Sequence, residues 1–303
     1  MTIDLINLTK IYGKRETKAI DSVSFEVRKG EILGLAGLNG AGKTTSIRIS
    51  AGVIFPTSGD VLVDGVSIVS DKKMAALNIA WVPESSLVDP MQTPKSLFFE
   101  YGTYFGFDRG YIRDHMVENM RLTGLDNQQN KRIRTFSNGM RKRLMLALAL
   151  FQNPDNYLLD ETFASLDPEG ILLLKKILFK LKSQGKSILL SSHVLSELEE
   201  IVDRVVIIHK GRIVDTCKIP DITARKLLEI NVKSNAATAM HLLEPLGIVA
   251  EWKGSILLEP RDNTSIDLNE VSLALKNDNI KLESVKEVKN SLERYFFEKI
   301  GKL

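Results

Sequence analysis

Residues 32–50 read ILGLAGLNGAGKTTSIRIS. The first five, Ile32 to Ala36, carry no polar side chain, which suits a strand covered on both faces. Gly37-Leu38-Asn39-Gly40-Ala41-Gly42-Lys43-Thr44-Thr45 then satisfies the spacing G-x-x-x-x-G-K-[ST], and residues 46–50 continue as a helix. Glycines at 37, 40 and 42 let the backbone fold closely around phosphate with several N–H groups pointing inward. The helix N-terminus adds its positive dipole end. Lys43 is placed to reach β- and γ-phosphates, and the Thr44 hydroxyl to bind Mg²⁺. The strand–loop–helix context favours nucleotide binding over a turn that merely joins two elements.

This loop alone is compatible with kinases, GTPases and motor ATPases. A second site narrows the choice. Residues 156–159 form an apolar strand that ends in Asp160-Glu161, and a doubly wound sheet is expected to set it beside the strand at 32–36. Asp160 suits Mg²⁺, directly or through water, and Glu161 suits polarisation of a water in line with the γ-phosphate. A base that activates water means hydrolysis.

Further strands are expected at 79–82, 187–191 and 205–208, alternating with helical segments in the manner of an α/β domain around a mostly parallel sheet. Residues 5–8 and 19–27, flanking the polar turn at 12–16, read as an antiparallel layer at the start. Residues 93–124 read as wholly helical and interrupt the strand rhythm, so a helical subdomain is expected there.

The 303 residues allow about two domains. With 41 Lys+Arg against 38 Asp+Glu and no basic block, nothing electrostatic argues for a nucleic-acid partner. The single cysteine, Cys217, cannot make an internal disulfide, which fits a reducing compartment, the cytosol. The opening MTIDLINLTKIY has no apolar run of signal-peptide type, and nowhere do 18 apolar residues follow one another. Residues 217–226, with Pro220 and no clear period, are the expected linker between a domain at 1–216 and a smaller one at 227–303. The latter reads β-α-β-β-α-β-α, the order of a split βαβ, ferredoxin-like unit with one added helix.

Between the two nucleotide motifs stands TFSNGMRKRLMLALAL (135–150), and after them SLDP (165–168) and SSH (191–193). This ordered set resembles the ATP-binding cassette (ABC) ATPases, the motor subunits of ABC transporters, over roughly residues 1–215. The resemblance implies a P-loop ATPase fold with a mostly parallel sheet, an N-terminal antiparallel β layer and a helical subdomain at about 93–150. It also implies ATP and Mg²⁺ as cofactors. Hydrolysis would occur at the interface of two head-to-tail cassettes, a second copy or a homologous chain supplying the other half of each site.

Residue by residue, Phe136-Ser137-Asn138-Gly139-Met140 stands where the family has LSGGQ, so Ser137 and the Gly139 backbone would donate to the partner's γ-phosphate. Asn138 replaces a glycine, a mild change because Asn tolerates left-handed backbone angles, and Met140 replaces the glutamine. Asp167 matches the aspartate that links the two sites, and His193 the histidine that contacts the γ-phosphate and orients water. Tyr12 stands where an aromatic stacks on adenine. Glu84 is a departure: the family has glutamine after the strand at 79–82, and an ionised glutamate adds charge and donates no hydrogen bond, although its oxygens can still serve Mg²⁺ beside Thr44 and Asp160. Thr162 and Phe163 also depart from the small or proline residues usual there.

The family further implies a separate polytopic transmembrane permease docked on the helical subdomain, where residues 97–107 hold six aromatics. Those rings serve equally as the subdomain's own core. The chain would then lie peripherally on the cytoplasmic face of the cell membrane. The tail Ser291-Leu292-Glu293-Arg294-Tyr295-Phe296 is similar to the last helix of the drug-resistance and antibiotic-export branch, which points to export. The alternative is a non-transport ABC ATPase that drives a cytosolic machine.

Overall fold

The computed structural model describes residues 2–13, 17–233, 235–259, 267–276, 278 and 280–301. Lys14 to Glu16 of the early turn lie outside them, and so does Ile266, where the second helical run of the smaller domain, 266–275, begins in the sequence. The chain divides into two compact units, Met1–Thr216 and Cys217–Leu303.

The first unit opens with the long antiparallel pair β1 (Ile3–Tyr12) and β2 (Thr17–Val27), followed by β3 (Ile32–Ala36) and helix α1 (Lys43–Ser50). Then come β4 (Ser58–Val63), β5 (Val66–Ser67), α2 (Lys72–Leu77) and β6 (Ile79–Val82). Strands β2-β1-β4-β5 make one sheet. Alternate residues of β1, β2 and β4 face α1 (Ile3, Leu5, Val23, Val61 and Val63 among them), while Leu33, Leu35, Leu158, Leu189 and Val206 of the other sheet join the same core. Helix α1 is thus covered from both sides, which is why its serines are buried and return their hydroxyls to main-chain oxygens, Ser46 to Gly42 and Ser50 to Ser46, each at 3.0 Å.

Next in the chain are α3 (Pro94–Tyr104), α4 (Arg109–Leu122), α5 (Asn138–Gln152), β7 (Asn156–Leu159), α6 (Pro168–Ser183), β8 (Ser187–Ser192), α7 (Leu195–Glu199), β9 (Arg204–His209) and β10 (Arg212–Lys218). The second sheet has the order β10-β9-β3-β8-β7-β6. Its β9-β3-β8-β7-β6 pairs are all parallel, and β3, β7 and β8 are buried at every residue. One expectation is corrected here: β7 does not lie beside β3, because β8 stands between them. Six consecutive buried residues make β8 as fit for the sheet centre as β7, and hydrophobicity alone does not order such strands.

The helical stretch at 93–124 holds the two helices α3 and α4. Thr93 and Ser96 form a reciprocal cap at the start of α3, and Asp108 caps α4 by accepting from Gly110 and Tyr111 N–H groups. With α5 they enclose Leu97, Phe98, Ile112, Met116, Met120, Leu144, Leu148 and Phe151. Phe98 meets Phe151 edge-on at 5.2 Å, and the Tyr101 hydroxyl donates to Gln152 Oε1 at 2.9 Å. Of the six rings at 97–107, Tyr104 is the one turned out to solvent, 80% exposed; the others pack partly or wholly inward.

The second unit begins with α8 (Ile219–Thr223), so the stretch read as a bare linker is ordered: Pro220 sits in the first turn, where its missing N–H leaves no helix bond unmade. Then follow β11 (Lys226–Val232), α9 (Ala236–Leu243), β12 (Ile248–Trp252), β13 (Ser255–Glu259), α10 (Leu268–Lys276), β14 (Leu282–Lys289) and α11 (Leu292–Lys299). The antiparallel order β12-β13-β11-β14 is that of a split βαβ unit. Leu228, Ile230, Ile256 and Leu258 face Leu243, Val271 and Leu275 of α9 and α10. On α11, Leu292, Tyr295 and Phe296 are buried, while Ile300, eight residues on from Leu292, lies just past the helix end and is partly exposed.

In α3 a Cβ on Gly102 would sit 2.6 Å from Ile112 Cγ1 and 3.1 Å from Phe151 Cζ. Overpacking costs about 1–3 kcal/mol, against roughly 1 kcal/mol that alanine gains over glycine in a helix. Gly102→Ala is therefore expected to lower the urea midpoint without changing the slope. An unchanged or higher midpoint would show that α3 and α4 can separate freely.

Candidate functional site

The parallel register delivers the site. Ala36 pairs with Ser192, Leu159 with Leu190 and Val82 with Leu159, so β3 and β8 end at one level and β7 and β6 end together at the level of Leu190. The residues just beyond those ends are Gly37, His193, Asp160-Glu161 and Pro83-Glu84. A cleft of about 470 Å³ opens there, lined by residues 38–45 together with Ala19, Glu84, Glu161 and His193.

Gly37 is required by space: a Cβ would lie 2.6 Å from the Ile208 carbonyl oxygen. Gly42, at φ 113°, needs the left-handed freedom of glycine and caps α1 at the same time. Lys43, 5% exposed, donates to Gly37 O at 2.8 Å and pairs with Glu161 Oε1 at 3.0 Å. Glu161 Oε2 lies 2.8 Å from His193 Nδ1 and also accepts from the His193 backbone N–H at 3.3 Å. One carboxylate therefore bridges the P-loop lysine and the histidine at the end of β8.

Asp160 and Glu161, adjacent in sequence, sit in different fields. Burial pushes the Asp160 carboxyl above its ordinary range, against the opposing hydrogen bonds from Ser191 (2.8 Å) and Thr44 (3.2 Å). Burial acts in the same sense on Glu161, but Lys43 and His193 outweigh it and hold that carboxyl below its ordinary range. Glu161 is also left-handed, at φ 46°, an unfavourable backbone for a non-glycine residue, and its N–H is fixed by Ser191 Oγ at 3.0 Å. Ser191 thus orients both acids. In the sequence its signal is a polar side chain that ends a run of apolar ones, within SSH.

Asp160 Oδ2 is buried and has no hydrogen-bond partner. With the Thr44 hydroxyl at its other oxygen and Glu84 lining the same cleft, this is a hard-oxygen set of the kind Mg²⁺ takes beside phosphates, with water completing its shell. Among the described residues no three His, Cys, Asp or Glu side chains gather into a cage for a metal. The residues present fit a cation held jointly with a nucleotide.

The remaining residues stand apart from the cleft. Tyr12 ends β1 with its ring 44% exposed and Lys10 Nζ 5.3 Å from its centroid. Ser137 caps α5 by accepting from Met140 N–H at 3.1 Å; Ser137 and Asn138 are exposed, Gly139 and Met140 partly so. Asp167 caps α6, accepting from Gly170 N–H at 3.0 Å and from Arg143 at 2.6 Å, and Arg143 first, then that N–H, hold its carboxyl below the usual range. Arg143, on α5, went unnoticed in the sequence, as did Lys142 beside it.

A model of the ABC transporter family matches residues 20–164. An ABC transporter ATP-binding protein of Bacillus subtilis, YhcH, is 31% identical across 99% of this chain and 96% of its own length. Nod factor export ATP-binding protein I of Rhizobium meliloti is 35% identical across 70% of this chain and 63% of its own length. The solved structure of an ATP binding subunit of an ABC transporter aligns with a TM-score of 0.68 at 27% identity, over 74% of this chain and 92% of that one. Carrying this cleft at the ends of its parallel strands, and related to such subunits along nearly its whole length, the chain belongs to the ABC transporter family as an ATP-binding subunit that hydrolyses ATP.

Proposed function

We propose that this subunit drives an exporter, working as a head-to-tail pair at the cytoplasmic face of the cell membrane, with a separate polytopic permease docked on the helical subdomain. The observation that carries the pairing is the separation within one chain of two phosphate-binding features. The P-loop cleft is lined by residues 38–45, Glu84, Glu161 and His193, while the exposed turn at Ser137 opens α5 outside that lining. A second cassette brings its own Ser137 and Gly139, with the N-terminus of α5, to the γ-phosphate held by Lys43. Asp167, exposed at the cap of α6, lies between the two sites of such a pair. Tyr12 stacks on adenine. Among the described residues no helix is long and apolar enough to cross a membrane. Export as the direction is supported by the likeness to a Nod factor export protein and by the Ser-Leu-Glu start of α11.

In the reaction, Lys43 leaves Glu161 for the phosphates when ATP enters. Glu161, kept ionised by its surroundings, then accepts a proton from the attacking water, and His193 holds that water and the γ-phosphate in line. Thr44, Asp160 and Glu84 would hold Mg²⁺ or its waters, and the bound cation would neutralise phosphate charge.

Glu161→Gln should bind ATP, turn it over at least ~10²-fold more slowly and accumulate as an ATP-bound dimer in size-exclusion chromatography. Turnover at the parental rate would remove Glu161 as the base. Affinity capture of that trapped form should bring down a polytopic membrane protein; a purely soluble complex would favour a cytosolic machine instead.

Asp160 gives a test of opposite sign for stability and function. Its carboxyl is raised in the folded chain, so its charge costs stability at neutral pH, and the cost disappears as pH falls through the raised value. Asp160→Asn should therefore melt higher than the parent at pH 7 without nucleotide, by a margin that closes toward pH 4, while losing Mg²⁺-dependent ATP binding roughly tenfold or more. A lower melting temperature at pH 7 would mean that the charge is needed for folding.

A further inference from the structure

Lys142 lies on α5, five residues beyond the Ser137 cap, and is 5% exposed. Its ammonium donates to three main-chain oxygens: Pro83 O at 2.7 Å, Glu84 O at 2.7 Å and Asp160 O at 3.5 Å. An ammonium has three donors and no acceptor, so these carbonyls use it fully. Two of them follow the end of β6 and the third follows the end of β7. A single buried cation thus ties the helix that starts at Ser137 to both segments carrying the acids of the cleft.

The acids whose fields reach Lys142 are Asp160, Glu84 and Glu161. Three carbonyl acceptors take all three N–H groups, which requires the charged ammonium. Glu84 also acts unfavourably on Asp160, raising its carboxyl further, as does Glu161. A glutamate at 84 therefore makes a cleft built for polyphosphate more negative, and Lys43 is already shared with Glu161. Lys142, whose ammonium sits on the Glu84 carbonyl, is a nearby charge that offsets Glu84.

The geometry points to Lys142 as a positioning residue that holds the Glu84 and Asp160 backbones with its ammonium and offsets the charge Glu84 brings to the nucleotide cleft. Lys142 and Glu84 then act as a compensating pair. The inference rests on the nucleotide reading of the cleft, but its test does not require turnover.

The experiment compares the full-length parent, K142Q, E84Q and the K142Q/E84Q double variant, with binding of a fluorescent ATP analogue measured in EDTA. K142Q still donates hydrogen bonds to carbonyls but has lost the charge. It should bind the nucleotide about three- to tenfold more weakly than the parent, with a shallower dependence on salt. Adding E84Q should restore most of that affinity and raise kcat in Mg²⁺ above that of K142Q alone. Circular dichroism melts establish that each variant is folded; should K142Q fail to fold, K142M with and without E84Q makes the same comparison. Equal loss in the Glu84 and E84Q backgrounds would reduce Lys142 to a structural clamp and overturn the inference, as would parental affinity in K142Q. Parental turnover in Glu161→Gln would instead strike at the catalytic reading and leave this comparison standing.

Discussion

Everything at the cleft depends on the shared register of β3, β8, β7 and β6. Side chains beyond a parallel sheet can converge only where neighbouring strands end close to one another, and the pairs Ala36 with Ser192, Leu190 with Leu159 and Leu159 with Val82 bring the four ends that close. A slip of one residue in β7 would exchange the faces of its four buried residues and carry Asp160 away from Thr44 and Ser191. The register is held by burial on both faces, since every residue of β3, β7 and β8 is in the core. Stability of the sheet and placement of the acids are in this sense one property.

Ser191 translates that register into site geometry. Placed at the end of β8, it donates to Asp160 and accepts from the Glu161 N–H, so the strand inserted between β3 and β7 supplies the hydroxyl that orients both carboxylates. The left-handed turn at Glu161 aims its side chain back over the sheet ends, toward Lys43 and His193. Strain at one residue is offset by bonds that the rest of the site makes anyway.

How much of this was legible in the sequence follows from which signals are local. The P-loop, the Asp-Glu strand end and the five apolar strands of the second sheet could be read because each needs only its own residues. The order of strands could not, because β7 and β8 are equally apolar and differ only in their neighbours. The segment at 217–226 read as a linker because Pro220 breaks a helix everywhere except its first turn, which is where it stands. Lys142 was hidden for a related reason. A cation on an amphipathic helix ordinarily marks the solvated face, and its burial here depends on carbonyls 58 and 59 residues earlier in the chain.

The two acids at the end of β7 show what such non-local surroundings accomplish. Asp160 and Glu161 share a strand end and similar intrinsic acidity, yet one is held above its ordinary range and the other below it. A carboxylate that is costly to keep charged gains most from a cation, whereas one stabilised by Lys43 and His193 is held in the ionised form that a base needs. Division of labour between adjacent residues thus arises from partners on α1, on β8 and just past the end of β8 rather than from the side chains themselves. That is why Asp-Glu in the sequence names a pair of acids, and why only the fold distributes their roles.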